Sequence, residues 1–113
     1  MNLTDPGVLT ALLARHGLRA KKGLGQHFLT SGSVVRRIVE TAAEASGILE
    51  IGPGPGVLTQ PLSERAAVRA LEFDADMAAV LSESSPKADV VVADALEADL
   101  SAHLQELPEP RAV

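Results

Sequence analysis

The chain has 113 residues, with ten Lys or Arg against fifteen Asp or Glu and a formal net charge of −5, which limits it to one domain at most. Hydrophobic residues make up 46% and charged residues 22%, the proportions of a globular protein and not of a disordered segment. The absence of cysteine excludes a disulfide framework, a thiolate zinc site and a cysteine nucleophile, and makes a reducing, cytoplasmic setting the expectation. Asp5, Pro6, Arg15, His16 and Arg19 break every apolar run near the start before a signal-peptide core or a bilayer-spanning helix can form.

In chain order, Thr4-Asp5-Pro6 reads as a helix start, Val8, Leu9, Leu12 and Leu13 as its apolar stripe and Gly17 as its stop. Residues 18–30 (LRAKKGLGQHFLT) have two glycines, basic side chains and no periodicity, so they read as an extended loop. Ser31 or Ser33 caps a second helix, with Val34, Val35, Ile38, Val39 and Ala42 on one face up to Gly47. From there the pattern changes. ILEIG (48–52) is a short apolar run ending in glycine, and VLTQPLSER (57–65) has helical spacing. VRALEFD (68–74) and ADVVVAD (88–94) predict two more strands, ADMAAVLSES (75–84) and ALEADLSAHLQEL (95–107) two more helices. Strands alternating with helices mean parallel βαβ units.

Residues 108–113 (PEPRAV) read as a loop entering a fourth strand. A doubly wound sheet needs five or more strands to cover its faces and edges. The expectation is therefore a partial α/β domain, with a helical, basic segment over residues 1–46 and three βα units over residues 47–113, from the N-terminal portion of a larger enzyme; the alternative is a natural small domain that stabilises its exposed edge by association. With two aromatic residues, Phe28 and Phe73, its core must be built from Val, Leu, Ile and Ala.

Charge is unevenly spread. Residues 1–40 carry six basic and two acidic side chains, net +4, whereas residues 41–113 carry four basic and thirteen acidic, net −9. The cluster Arg15, Arg19, Lys21, Lys22, Arg36 and Arg37 suits a phosphate-facing patch, the plainer reading being ordinary solvated charge.

The stretch Glu50-Ile51-Gly52-Pro53-Gly54-Pro55-Gly56 sits where a first strand ends and a helix opens, the place at which open α/β sheets bind ligands. Alternate glycines permit positive φ and close ligand approach. The two prolines remove N–H donors, which argues against a phosphate cradle. Val57 breaks the dinucleotide fingerprint and no P-loop is present, so an uncharged ribose or a methionine-like moiety fits better than a pyrophosphate. Glu72, ending the second strand, is placed to accept both ribose hydroxyls, with Ala70, Leu71 and Phe73 as apolar walls for an adenine. Asp94, ending the third, is placed to accept from an adenine amino group. Each acid alone is as readily a helix cap. Glu50, Glu72 and Asp94 together with the glycine turn form a nucleoside-binding pattern.

Gly25-Gln26-His27-Phe28-Leu29, Leu49 to Thr59, Leu71-Glu72-Phe73-Asp74 and Ala93-Asp94-Ala95-Leu96 resemble, in order and spacing, the dimethyladenosine transferases of small-subunit ribosomal RNA. The resemblance runs from about Lys21 to Leu96. It implies a Rossmann-like α/β fold of the S-adenosylmethionine-dependent methyltransferases, the N-terminal part of a doubly wound parallel sheet. It also implies S-adenosylmethionine as cofactor, with His27 and Leu29 in a closing loop, Gly52 against the methionine part, Glu72 on the ribose and Asp94 at the adenine. Many members have Asn where this chain has His27. The implied partner is ribosomal RNA of the small-subunit precursor, and the implied activity is N6 methylation of 16S adenines in ribosome biogenesis. Phe28 either stacks on a flipped base or anchors the loop.

The family's target-adenine motif, Asn or Asp followed by Leu/Ile-Pro-Tyr/Phe, does not occur in these residues, so the chain by itself is expected to be catalytically silent. Two other readings stay open: a large-subunit methyltransferase of the antibiotic-resistance type, and a non-catalytic nucleoside- or RNA-binding fragment. His16 and His103 read as surface or helix-end side chains.

Overall fold

The computed structural model describes residues 1–18 and 31–113. Helix α1 spans Pro6–Arg15; Asp5 caps it by accepting the Gly7 N–H, and Pro6 occupies the first turn, where a missing N–H costs nothing. It stops where Gly17 takes a φ of 71°, the left-handed conformation that closes a helix. Leu9, Leu12 and Leu13 are buried, as the stripe predicts.

Helix α2 spans Gly32–Thr41, and of the two candidate caps it is Ser31 whose hydroxyl accepts the Val34 N–H. Val35 and Val39 are buried, while Val34 and Ile38 stay 43% and 37% exposed. The helix thus buries a narrower stripe than the five-residue face its periodicity suggests.

Four parallel strands follow, β1 (Gly47–Ile51), β2 (Ala67–Glu72), β3 (Asp89–Val92) and β4 (Arg111–Ala112), in the spatial order β3-β2-β1-β4. They are joined by α3 (Thr59–Ser63), α4 (Ala75–Ser84) and α5 (Leu100–Gln105). The first two crossovers move outward in one direction, so right-handedness puts α3 and α4 on one face; the third returns to the other side of β1 and puts α5 on the opposite face. Side chains bear this out. Ile48 and Val68 point into a cluster with Leu9, Leu12, Leu13, Val35, Val39, Leu62 and Val80. Leu49, one residue after Ile48, and Leu71, three after Val68, point to the other face and meet Leu107, Leu100 and Leu104.

The faces are therefore unequally covered, four helices contributing to one and α5 to the other. Helices α1 and α2 pack on the sheet as part of the main core. Gly47 is required at the start of β1, since a Cβ there would collide with the Pro108 carbonyl as the chain returns to β4. The Ser46 and Gly47 N–H groups both donate to the Pro110 carbonyl, at 2.7 and 3.2 Å.

Two helices are shorter than the sequence suggests. Pro61 sits inside the expected 57–65 segment, and only Thr59–Ser63 is helical. In 95–107, Asp94 first closes a turn by accepting the Leu96 N–H, and Asp99 then caps a fresh helix by accepting from Ala102. Phe73 and Asp74 likewise fall beyond β2, Asp74 serving as the cap of α4.

Candidate functional site

The order β3-β2-β1-β4 makes the gap between β1 and β4 the point where the chain reverses direction across the sheet. Ligands of open α/β sheets bind outside the carboxyl ends of the strands at that point. Gly52, Glu72 and Asp94 all lie at the carboxyl ends of the strands: Gly52 directly follows β1, Glu72 ends β2 and Asp94 lies two residues past β3. Bonds that extend the ladders tie them together: Gly52 N–H donates to the Leu71 carbonyl at 3.1 Å and Ala93 N–H to the Glu72 carbonyl at 3.0 Å. His27 and Leu29, together with Phe28, lie outside the described residues.

The glycine turn has φ values of 64° at Gly52, 60° at Gly54 and 103° at Gly56, a conformation that side chains with a Cβ rarely adopt. Its donors are already engaged. Gly52 N–H meets Leu71, Gly54 N–H meets Glu72 Oε1 at 3.2 Å and Gly56 N–H meets the Pro53 carbonyl at 3.4 Å, while Pro53 and Pro55 have no N–H. A turn with every N–H consumed within the protein cannot cradle a phosphate. In front of Gly52 a Cβ would meet nothing within 4 Å, so this backbone faces open space that a ligand can enter.

Glu72 is 9% exposed. Its Oε1 takes the Gly54 N–H and its Oε2 takes the Asp74 N–H at 2.9 Å. A carboxylate oxygen accepts two hydrogen bonds, so each keeps a lone pair for a ligand hydroxyl. Phe73, directly after Glu72, and Leu96, two residues after Asp94, are 74% and 95% exposed, an unusual position for large apolar side chains unless something covers them. Asp94 Oδ1 is used by the Leu96 N–H; its second oxygen has no partner among the described residues.

Glu50, read in the sequence as an equal of the other two acids, has a different role. It turns into the protein and accepts from the Thr59 hydroxyl, itself fully buried. Burial pushes its carboxyl above the usual range, the Thr59 bond opposing this in part. Thr59 was not legible as its partner because the pairing spans the glycine turn. Ser84, whose hydroxyl reaches the turn at Pro55, was also missed; its sequence signal is a hydroxyl placed on the buried stripe of α4 after Val80 and Leu81.

Known structures share this architecture. An O-methyltransferase from Bacillus cereus, solved in complex with SAH, superposes with a TM-score of 0.65 at 20% identity, over 96% of this chain and 50% of that one. The 23S rRNA methyltransferase ErmE superposes with a TM-score of 0.57 at 37% identity, over 74% of this chain and 34% of that one. The fold is that of the Rossmann-like S-adenosylmethionine-dependent methyltransferases. Within it, the family described as ribosomal RNA adenine dimethylase matches residues 17–111, and the chain belongs to that family. A curated relative, ribosomal RNA small subunit methyltransferase A of Streptococcus pneumoniae, is 40% identical over 97% of the chain. The chain spans 40% of that relative's length.

Proposed function

We propose that this chain forms the S-adenosylmethionine-binding part of an enzyme that methylates N6 of adenines in small-subunit ribosomal RNA. The observation that carries the reading is the Glu72 carboxylate, fixed at the lip of a glycine turn that has no N–H left for phosphate. Such a site suits a nucleoside cofactor that carries no phosphate. The acidic strand ends also suit a cation, and the cofactor supplies a methyl group already activated on a positively charged sulfur.

In this reading Gly52 faces the methionine part and Glu72 holds the ribose hydroxyls with its two remaining lone pairs. Asp94 accepts from the adenine amino group, and Phe73 and Leu96 cover the adenine ring. His27 and Leu29 close over the cofactor from the loop before α2. An activated methyl and a neutral amine need little acid–base help, so this chain's share of catalysis is orientation. No catalytic residue is assigned within it.

Calorimetric titration of the chain with S-adenosylhomocysteine tests the cofactor half, and absence of binding rejects it. For the RNA half, the chain is joined to the part of the Streptococcus pneumoniae relative beyond the match and assayed for methyl transfer to undermethylated RNA. Transfer to small-subunit RNA is expected. The likeness to ErmE supports a second reading, and transfer to large-subunit RNA alone favours it.

A further inference from the structure

We infer that Ser84 is a positioning residue of the glycine turn, its hydroxyl fixing the Pro55–Gly56 backbone and thereby setting cofactor affinity. The inference rests on the reading that the turn takes S-adenosylmethionine.

Ser84 ends α4 and is 3% exposed, with Ser85 beside it at 1%. The Ser84 Oγ lies 2.7 Å from the Pro55 carbonyl, 3.2 Å from the Leu81 carbonyl and 3.1 Å from Ser85 Oγ. A hydroxyl has one proton, and the shortest of these contacts takes it to Pro55. Ser85 then donates to Ser84, and two hydroxyls form a chain ending on the turn. Pro55 is fully buried, so without Ser84 its carbonyl loses a partner it cannot replace with bulk water.

The approach is close enough to require glycine next door. A Cβ on Gly56 would fall on Ser84 Oγ and lie 2.9 Å from Ser85 Oγ and 3.0 Å from Leu81 Cδ1. Gly52, by contrast, faces open space. The glycines thus divide into one that meets the ligand side and one that meets α4. The turn is held at Gly52 by the Leu71 carbonyl, at Gly54 by Glu72 and at Pro55 by Ser84. Loss of the third hold leaves the curve between Gly54 and Gly56 without its hydrogen bond from α4 and lets the Glu72–Gly54 bond shift with it.

Two measurements on the 113-residue chain decide the matter. Titration with S-adenosylhomocysteine compares Ser84→Ala with Ser85→Ala, which removes a hydroxyl just as buried that makes no hydrogen bond to the turn itself. Ser84→Ala is expected to weaken binding on the order of tenfold, Ser85→Ala by less than about twofold, and Ser84→Thr, which keeps the hydroxyl, to restore most of the loss. Equal losses in the two alanine variants overturn the inference. Amide hydrogen exchange without ligand gives an independent reading: faster exchange at Gly54 in Ser84→Ala but not in Ser85→Ala supports it, and unchanged exchange in both overturns it. If the unaltered chain binds no S-adenosylhomocysteine, the cofactor reading fails, and the link from Ser84 to affinity fails with it, whatever the exchange shows about the turn.

Discussion

Glu72 is held by one backbone N–H on each oxygen, so changing it removes a support of the turn and, in the proposed reading, both acceptors for the ligand's hydroxyls. Glu72→Ala is expected to cost about 1.5–3 kcal/mol of S-adenosylhomocysteine binding, tenfold or more in affinity, by calorimetric titration; unchanged affinity would leave Glu72 as a cap only. Glu50 gives the contrasting case. Burial raises its folded carboxyl above the ordinary 4.5, so the folded state holds a proton more readily than the unfolded chain. The stability this contributes is complete below about pH 4.5 and is lost as pH rises through the raised value. Glu50→Gln, which keeps an oxygen for the Thr59 hydroxyl, is therefore expected to flatten that decline and raise the unfolding midpoint at neutral pH relative to the parent; a lower midpoint at pH 7 contradicts this. The three acids look alike in the sequence because each ends an apolar run. What separates them is a partner supplied by a distant segment, Thr59 for Glu50 and Gly54 for Glu72, which periodicity does not encode.

At the scale of elements, α1 shows how a pattern can be legible while its purpose is not. Its stripe was readable from leucine spacing, and its burial of Leu9, Leu12 and Leu13 against Val80 and Ile48 follows. Arg15, read as part of a phosphate-facing cluster, instead pairs with Glu83 on α4, which also accepts from His16 at 3.0 Å. Arg15 and His16 hold the Glu83 carboxyl below its usual range, so this tie is present above the ordinary carboxylate range and fades as pH falls through the lowered value. Being exposed, it adds little; the leucines carry the docking. Leu12→Ala, at a fully buried position, is expected to cost about 2–5 kcal/mol of unfolding free energy in a denaturant titration. A cost under about 1 kcal/mol would mean that α1 is not part of the cooperative core. Helix α4 was legible to the residue because Asp74 caps it and an apolar stripe fills it. Helix α5 was overestimated because spacing continued across Asp99, where the backbone starts a fresh helix, and α3 because spacing ran past both ends of the five residues that are helical.

For the whole molecule, the parallel topology was legible from alternating strands and helices, whereas the unequal cover of the two sheet faces depends on where α1 and α2 dock, which no local pattern reports. Charge is the property that acts at this scale. The acidic residues 41–113, at net −9, repel RNA unless one surface is locally positive. Among the seven described Lys and Arg side chains, Arg15, Arg69, Lys87 and Arg111 are in ion pairs. Arg36 and Arg37, adjacent and exposed on α2, pair with no acid among the described residues, and residues 19–30 contain none. Arg36 borders a groove of about 330 Å³ lined also by Val57, Gln60, Pro61 and Glu64. Of the cluster read in the sequence, then, Arg15 is spent on α4, Arg19, Lys21 and Lys22 lie outside the described residues, and Arg36 and Arg37 remain as the candidates for phosphate contact that a test can address. Their replacement with Ala should weaken binding of small-subunit RNA fragments irrespective of sequence. Each lost contact is expected to reduce the slope of log affinity against log salt by about 0.7–0.9. A salt series on the parent and the Arg36→Ala, Arg37→Ala double variant measures this directly, and an unchanged slope rejects the phosphate role even if affinity at a single salt concentration falls.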